Sequence, residues 1–359
     1  MSRNLRTYLN LLGQSVFYWT ITYMLFITIR FYGIGEDEGL PLIDKTNIPF
    51  YIALQYAAFL GASIGVFYSL IEFVFDTYVS KRTALWFQIL SKTFIYFIVL
   101  IICVSIIRKY YQYDNNLEIP VIKKGWWVKS KTFWVTVLFF VCSSLVFSIL
   151  KMATEKLGPG VFLKMLLGKY KSPQEEKRIF MFLDLKNSTP IAEKLGHLKY
   201  SQFIQDCFYD LNELVPKYEA EIYQYVGDEA VLNWEYKKGL ANNNCVSLFF
   251  EFQQKLQSKK DYYNQKYNEV PEFKAGLHGG TLMVAEVGTI KKELAYHGDV
   301  INTSARIQAE CNTYNVPVLI SENLLSDLNV KNPYLTKVLG DILLRGKKSK
   351  VNLYTISKV

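Results

Sequence analysis

The 359-residue chain carries only three histidines, at 197, 278 and 297, and five cysteines, at 103, 142, 207, 245 and 311. The cysteines show no paired spacing, so they form neither a disulfide framework nor a zinc site and read as small buried hydrophobes. Every histidine falls after residue 190, which leaves the apolar N-terminal runs without a histidine pair for haem. Residues 1–10 are polar, with Arg3 and Arg6, and no signal-peptide cleavage pattern follows them. Internal repeats and low-complexity segments are absent. The net charge of +9 would fit nucleic acid, but no basic cluster with interleaved aromatics supports that partner. Basic residues beside a membrane, facing anionic lipid, explain the charge instead.

What abounds is apolar. Half of the residues are hydrophobic, and the long apolar runs all fall within residues 1–151. Residues 11–29, 50–71, 84–107 and 132–150 each come close to the ~20 residues that cross a bilayer as a helix. Gly61 and Gly65 form a small-xxx-small pair that lets two such helices approach closely. Four spans put both termini on one side. Arg3, Arg6, Lys81, Arg82 and the basic run after Lys151 assign that side to the cytoplasm. The loop 108–131 argues against this topology, since it would lie outside with Lys123, Lys124, Lys129 and Lys131. Its Trp126 and Trp127 fit the headgroup level. Glu72, Asp76 and Lys92 sit at or inside span ends, where ionisable groups are expensive. A solvated or paired helix end is the simpler reading there, and signal detection the functional one.

Residues 152–178 read as a juxtamembrane linker. The last helix continues to Leu157, Gly158-Pro159-Gly160 breaks it, and residues 161–171 are amphipathic, with Leu163, Met165, Leu166 and Leu167 among Lys164 and Lys169. The segment is either a tether lying on the membrane or a coupling element between the spans and the C-terminal domain.

Residues 179–359 are enough for one domain with its own core. Ile179-Phe180-Met181-Phe182-Leu183-Asp184 reads as a buried strand ending on a carboxylate. Thr189 and Pro190 then look like an N-cap and first helical position, so Asp184 stands where a strand meets a helix start suited to an anion. Tyr223 to Trp234 reads as a hairpin around Gly227-Asp228. Two carboxylates beside a phosphate-ready helix start point to a two-metal phosphate site. Helices follow from Pro190, over 199–218 and over 242–260. Strands are expected at 273–278, 282–287, 294–296, 316–320, 335–339 and 351–356, a mixture that indicates an α+β fold.

In this order, about 44 residues apart, the two carboxylate motifs resemble those of the nucleotidyl cyclase domain of class III adenylyl and guanylyl cyclases. Gly298-Asp299-Val300-Ile301-Asn302-Thr303-Ser304-Ala305-Arg306 is similar to that family's helix with an Asn and an Arg four residues apart. Leu344-Arg345-Gly346-Lys347 is similar to its basic C-terminal loop. The resemblance implies an α-helical transmembrane bundle followed by a ferredoxin-like α+β catalytic domain. It implies a cell-membrane adenylate cyclase, its catalytic domain cytoplasmic, that converts ATP to 3′,5′-cyclic AMP and pyrophosphate.

The resemblance also assigns roles. Asp184 and Asp228 match the family's metal-binding carboxylates for two Mg²⁺ or Mn²⁺ ions, with the Leu185 carbonyl as an added ligand. The Ser188–Thr189 backbone would hold phosphate oxygens, Arg306 would stabilise charge on the α-phosphate, and Asn302 would orient the ribose. Arg345, where the family usually has Lys, or Lys347 would bind the terminal phosphates. In the family the carboxylates and the Asn/Arg helix come from opposite subunits, so a homodimer would hold two equivalent sites. Gln224 and Ala295 occupy the base-reading positions, where adenylyl cyclases usually have Lys and an Asp or Thr. That departure leaves guanylate cyclase as an alternative. A non-catalytic cyclase-like receptor would be expected to lack a metal Asp or the Arg. A diguanylate cyclase reading fails on Val226 and Ala230 within Val226-Gly227-Asp228-Glu229-Ala230, and a four-span transporter fails on the intact motifs. His278 and His297 flank the site in sequence and read as structural.

Overall fold

The computed structural model describes residues 3–33, 49–79, 83, 85–114, 128, 131–158, 161–328, 334–347 and 349–358. Contacts divide the chain into two units, Met1–Ala153 and Thr154–Val359.

The first unit consists of α1 (Arg3–Gly33), α2 (Phe50–Val74) with a π-helical turn at Phe75–Val79, α3 (Leu85–Asp114) and α4 (Lys131–Leu157). Four stretches, Tyr8–Phe31, Phe50–Val74, Leu90–Ile107 and Phe133–Lys151, are long and apolar enough to span a membrane. Their outward residues are apolar too: Phe17, Leu90, Phe94 and Leu138 are exposed, as lipid-facing positions should be. Aromatic rings fill the interior. Trp19 stacks on Phe140 at 4.8 Å and Tyr68 on Tyr96 at 4.7 Å between centroids. Gly61 and Gly65 bring α2 against α1: a Cβ would stand 2.5 Å from Trp19 O at one and 2.6 Å from Val16 Cα at the other. Glu72 is paired rather than solvated. Its Oε2 lies 3.0 Å from Lys92 Nζ and 3.1 Å from Lys151 Nζ, and Tyr96 donates to Oε1 at 2.7 Å. The acidic residues 36–38, the turn Lys81–Arg82, Pro159–Gly160, and Lys123, Lys124, Trp126, Trp127 and Lys129 lie outside the described residues, as do the side chains of Arg3, Arg6 and Asp76.

The second unit runs α5 (Val161–Leu166), β1 (Gln174–Leu185), α6 (Ser188–Asn212), β2 (Glu221–Val226), β3 (Glu229–Glu235), α7 (Tyr236–Leu240), α8 (Asn244–Ser258), α9 (Lys260–Tyr267), β4 (Phe273–Val287), β5 (Glu293–His297), α10 (Asp299–Thr313), β6 (Val318–Ser321), α11 (Glu322–Asp327), β7 (Tyr334–Ile342) and β8 (Val351–Lys358). The sheet order is β2-β3-β1-β4-β6-β8-β7, with β5 paired to β4. The first four strands, with helices between β1 and β2 and between β3 and β4, are the βαββαβ unit of a ferredoxin-like core. Strand β1 alternates half-buried and exposed positions at its start and is then buried from Arg178 to Leu183 and again at Leu185, with Asp184 half-buried, because helices cover both faces of the sheet. One face packs Ile179, Met181 and Leu183 against Phe203, Phe249 and Phe252. The other packs Phe180 and Phe182 with Leu282, Val284, Tyr296 and Val300.

Three expectations need correcting. The strands expected at 273–278 and 282–287 are one, because β1 pairs with β4 without a break from Leu185↔Phe273 to Gln174↔Val284. The N-cap of α6 is Asn187 at φ 55°, not Thr189; Pro190 falls inside the first turn, where its missing N–H costs nothing. The helix expected to reach residue 218 ends at Asn212, and α6 itself is interrupted at Gly196 (φ 70°).

Candidate active site

Strand β1 carries Asp184 almost to its end. There it stands in register with Glu229 on β3 and Lys274 on β4. Its Oδ2 lies 3.0 Å from Lys274 Nζ and accepts from Gln308 Nε2 at 3.1 Å. Lys274 Nζ also donates to Asn312 Oδ1 at 3.0 Å. The neighbouring Leu185 ends the β1–β4 ladder with its side chain in the core. The turn between β2 and β3 supplies Asp228, whose Oδ2 is buried with no hydrogen-bond partner among the described residues. Burial, then the Asp184 and Asp228 charges, push the Glu229 carboxyl up to about 7 against the pull of Lys274. Tyr200 of α6 closes the group. Its hydroxyl interacts with Ser188 and Asp228, and burial followed by the Asp228 charge raises it to about 12. Ser188 is half-buried and Thr189 exposed at the start of α6. The structure thus gathers Asp184, Asp228 and Ser188, and adds Lys274, Gln308, Tyr200 and Glu229, which the sequence reading missed. Glu229 was the findable one, adjacent to Asp228 in the hairpin.

Asn302 and Arg306 form a second group. Helix α10 lies directly on β4 at Gly276, where a Cβ would stand 2.2 Å from Gln308 N. At ~100° per residue, Arg306 points roughly 200° around the helix from Gln308. Asn302 is exposed and Arg306 half-buried. Arg306 has no ion pair or hydrogen bond among the described residues, and its guanidinium lies beside Gly346, whose Cβ position is 3.4 Å from Nη2. Lys347 Nζ lies 2.6 Å from Asp299 Oδ2, to which Thr303 Oγ1 also donates at 3.1 Å. Lys347 is thereby held on the start of α10, while Arg345 is exposed. His278 is buried against Ser321, Nδ1 to Oγ 2.7 Å, and burial, then the nearby Lys347, lower it to about 4. His297 is exposed.

The base-reading candidates sit apart from both groups. Gln224 is exposed on β2 at a bulge, where the register with β3 shifts between Ile222 and Gln224. Ala295 is half-buried on β5, opposite Ala285. Their neighbours Tyr223 and Tyr296 meet, ring centroids 5.0 Å apart.

Known proteins match this unit. A family model described as the adenylate and guanylate cyclase catalytic domain matches residues 170–358. Adenylate cyclase 2 of Rhizobium meliloti (strain 1021) is 36% identical over 203 residues, 56% of this chain and 56% of that protein. The match therefore spans about half of the curated relative's length. A solved bacterial light-regulated adenylyl cyclase has a TM-score of 0.53 at 15% identity, covering 64% of this chain and 67% of that one. The adenylyl cyclase CyaB from P. aeruginosa has a TM-score of 0.46 at 18% identity, covering 52% of this chain and 97% of that one.

Proposed function

The chain belongs to the adenylate and guanylate cyclase catalytic domain family, and we propose that it is a membrane-anchored adenylate cyclase, converting ATP to 3′,5′-cyclic AMP and pyrophosphate on the cytoplasmic side. The observation that carries this is the pair Asp184 and Asp228 at a helix start, with Asp228 Oδ2 buried and without a hydrogen-bond partner among the described residues. A buried carboxylate oxygen without a hydrogen-bond partner is the kind of group that a cation completes.

Hard oxygen donors of this kind suit Mg²⁺ or Mn²⁺. Among the described residues no three His, Cys, Asp or Glu stand together as a cage. That fits an ion held by one or two carboxylates and completed by substrate phosphates. Asp184, Asp228 and the Leu185 carbonyl would hold two such ions, whose chemistry when bound would be to lower the pKa of the attacking ribose hydroxyl and neutralise the triphosphate. The chain's own groups do the rest. Backbone N–H groups of Ser188 and Thr189, at the start of α6, bind phosphate oxygens. Arg306 meets the charge that develops on the α-phosphate with a planar fork of donors, and Asn302, one turn earlier, orients the ribose. Arg345 takes the terminal phosphates, since Lys347 is occupied by Asp299.

Asn302 and Arg306 face away from their own chain's Asp184. They serve the carboxylates of a second copy, so the working unit is a homodimer with two shared sites. Product analysis after incubating the purified protein with ATP or GTP and Mn²⁺ tests the reading. Cyclic AMP is expected; no cyclic nucleotide from either substrate would sink it.

A further inference from the structure

Tyr223 and Tyr296 lie on strands separated in the sheet by β3, β1 and β4, yet their rings meet edge to face at 87°. Phe180 of β1 fills the corner between them, 6.3 Å from Tyr223 and 5.3 Å from Tyr296. Edge-to-face triads of this kind fix ring orientation as well as position. Beside Phe180's strand neighbours, Arg178 lies with Cζ 5.7 Å from the Tyr296 centroid, within cation–π range.

Arg178 is itself immobilised. It is wholly buried; Nε donates to Glu176 Oε2 at 3.0 Å, and Nη1 to Glu221 Oε2 and Asn233 Oδ1 at 2.7 Å each. Glu221 opens β2, so one guanidinium touches the ring on β5 and anchors the start of the strand that bears Tyr223. Glu176 in turn accepts from Lys169 and Tyr170, in the segment between α5 and β1, at 2.7 and 3.0 Å.

The residues adjoining the two rings are the base-reading positions. Gln224 follows Tyr223 at the bulge, and Ala295 precedes Tyr296. Ala295 offers no hydrogen bond, and the Gln224 amide can pair with adenine or, flipped, with guanine. Neither side chain chooses by itself, so the choice rests on how the backbone presents them. We propose that the Tyr223–Tyr296 ring pair, anchored on Arg178, positions Gln224 and Ala295 and thereby sets the preference between adenine and guanine nucleotides. Tyr223, Tyr296 and Arg178 are positioning residues in this role, which rests on the cyclase reading above.

The test uses the full-length protein in lipid nanodiscs as Tyr223→Leu, Tyr223→Phe and Tyr296→Leu. One readout is the ratio of kcat/KM for ATP and GTP. The other, independent of turnover, is the ratio of their affinities in competition with a fluorescent ribose-labelled nucleotide. Each Leu variant should shift the ATP:GTP ratio by about fivefold or more, and Tyr223→Phe should keep it within about twofold of the parent. Tyr223 is half-buried, so Tyr223→Leu decides the matter should Tyr296→Leu fail to fold. A ratio unmoved in Tyr223→Leu, even with both nucleotides weakened, would reduce the rings to core packing and overturn the proposal. A shifted affinity ratio in a protein that makes no cyclic nucleotide would sink the cyclase reading and leave this inference standing.

Discussion

Gln308 and Arg306 are two residues apart on α10 and face opposite ways: Gln308 donates to Asp184 in its own chain, and Arg306 turns toward Gly346. A helix cannot present both residues to one site without unwinding. Asp184→Ala and Arg306→Ala should therefore each be inactive alone and recover activity when co-expressed, up to about half of the parent, because a mixed dimer holds one site built from intact halves. No recovery in demonstrated mixed dimers would place each site within a single chain.

Asp228 should separate activity from stability. Asp228→Ala is expected to lower turnover by more than about a hundredfold, as Asp184→Ala should, by removing a metal ligand. Because Oδ2 has no hydrogen-bond partner among the described residues, removing the carboxylate should offset the loss of its contact with Tyr200, and Asp228→Ala should not lower the unfolding temperature when divalent ions are chelated. Thermal scans in EDTA check this, and a drop in Tm would show that Asp228 is part of the scaffold.

Base choice is the third expectation. Gln224 stands where the family usually has Lys, and Ala295 removes the acidic partner of a strong adenine reader. ATP should be preferred, but within about a hundredfold of GTP. Specificity constants measured side by side decide this, and a clear preference for GTP would overturn it.

His278 gives a pH signature. Burial, then Lys347, lower it to about 4, below the ordinary histidine value of about 6.5. Between those values the unfolded chain binds a proton that the native chain does not. Its stabilising contribution is therefore complete above about pH 6.5 and lost as the pH falls toward 4, up to roughly 3 kcal/mol. His278→Gln should flatten the fall in stability across that window relative to the parent. An identical slope would show that another group governs it.

Gly276→Ala tests the seating of α10. The added methyl would meet Gln308 N and Cα at 2.2 and 2.6 Å, so the helix must lift. A loss of about 1–3 kcal/mol is expected from overpacking, with turnover falling further than the stability change explains, because Asn302 and Arg306 ride on the same helix. Unchanged kinetics would mean that the sheet gives way instead.

The sequence made the local elements legible and hid the long-range ones. The hairpin around Asp228 is written in two apolar runs and a Gly, and β2 and β3 flank residues 227–228 as expected. The strand before Asp184 is written just as plainly. Two strands are expected at 273–278 and 282–287, yet the β1 ladder carries β4 straight through the residues between them. Lys274, Tyr200 and Gln308 left no trace, since their roles arise from tertiary contact; Gln308 reaches Asp184 across 124 residues of chain. The choice between Arg345 and Lys347 could not be made from spacing either. Nor does spacing show the contact that Asp299 makes with Lys347.

Glu72 has a mechanical consequence. One carboxylate takes Lys92 from α3 and Lys151 from α4, with Tyr96 of α3 on its other oxygen. Sliding α4 along α2 by a single residue, ~1.5 Å, would lengthen the 3.1 Å Lys151 contact at a level where ionisable groups are expensive. A piston stroke of α4 therefore acts directly on this contact. Lys151 is followed by less than two further turns of α4, ending at Leu157, so the Glu72 contact grips that helix close to its C-terminal end.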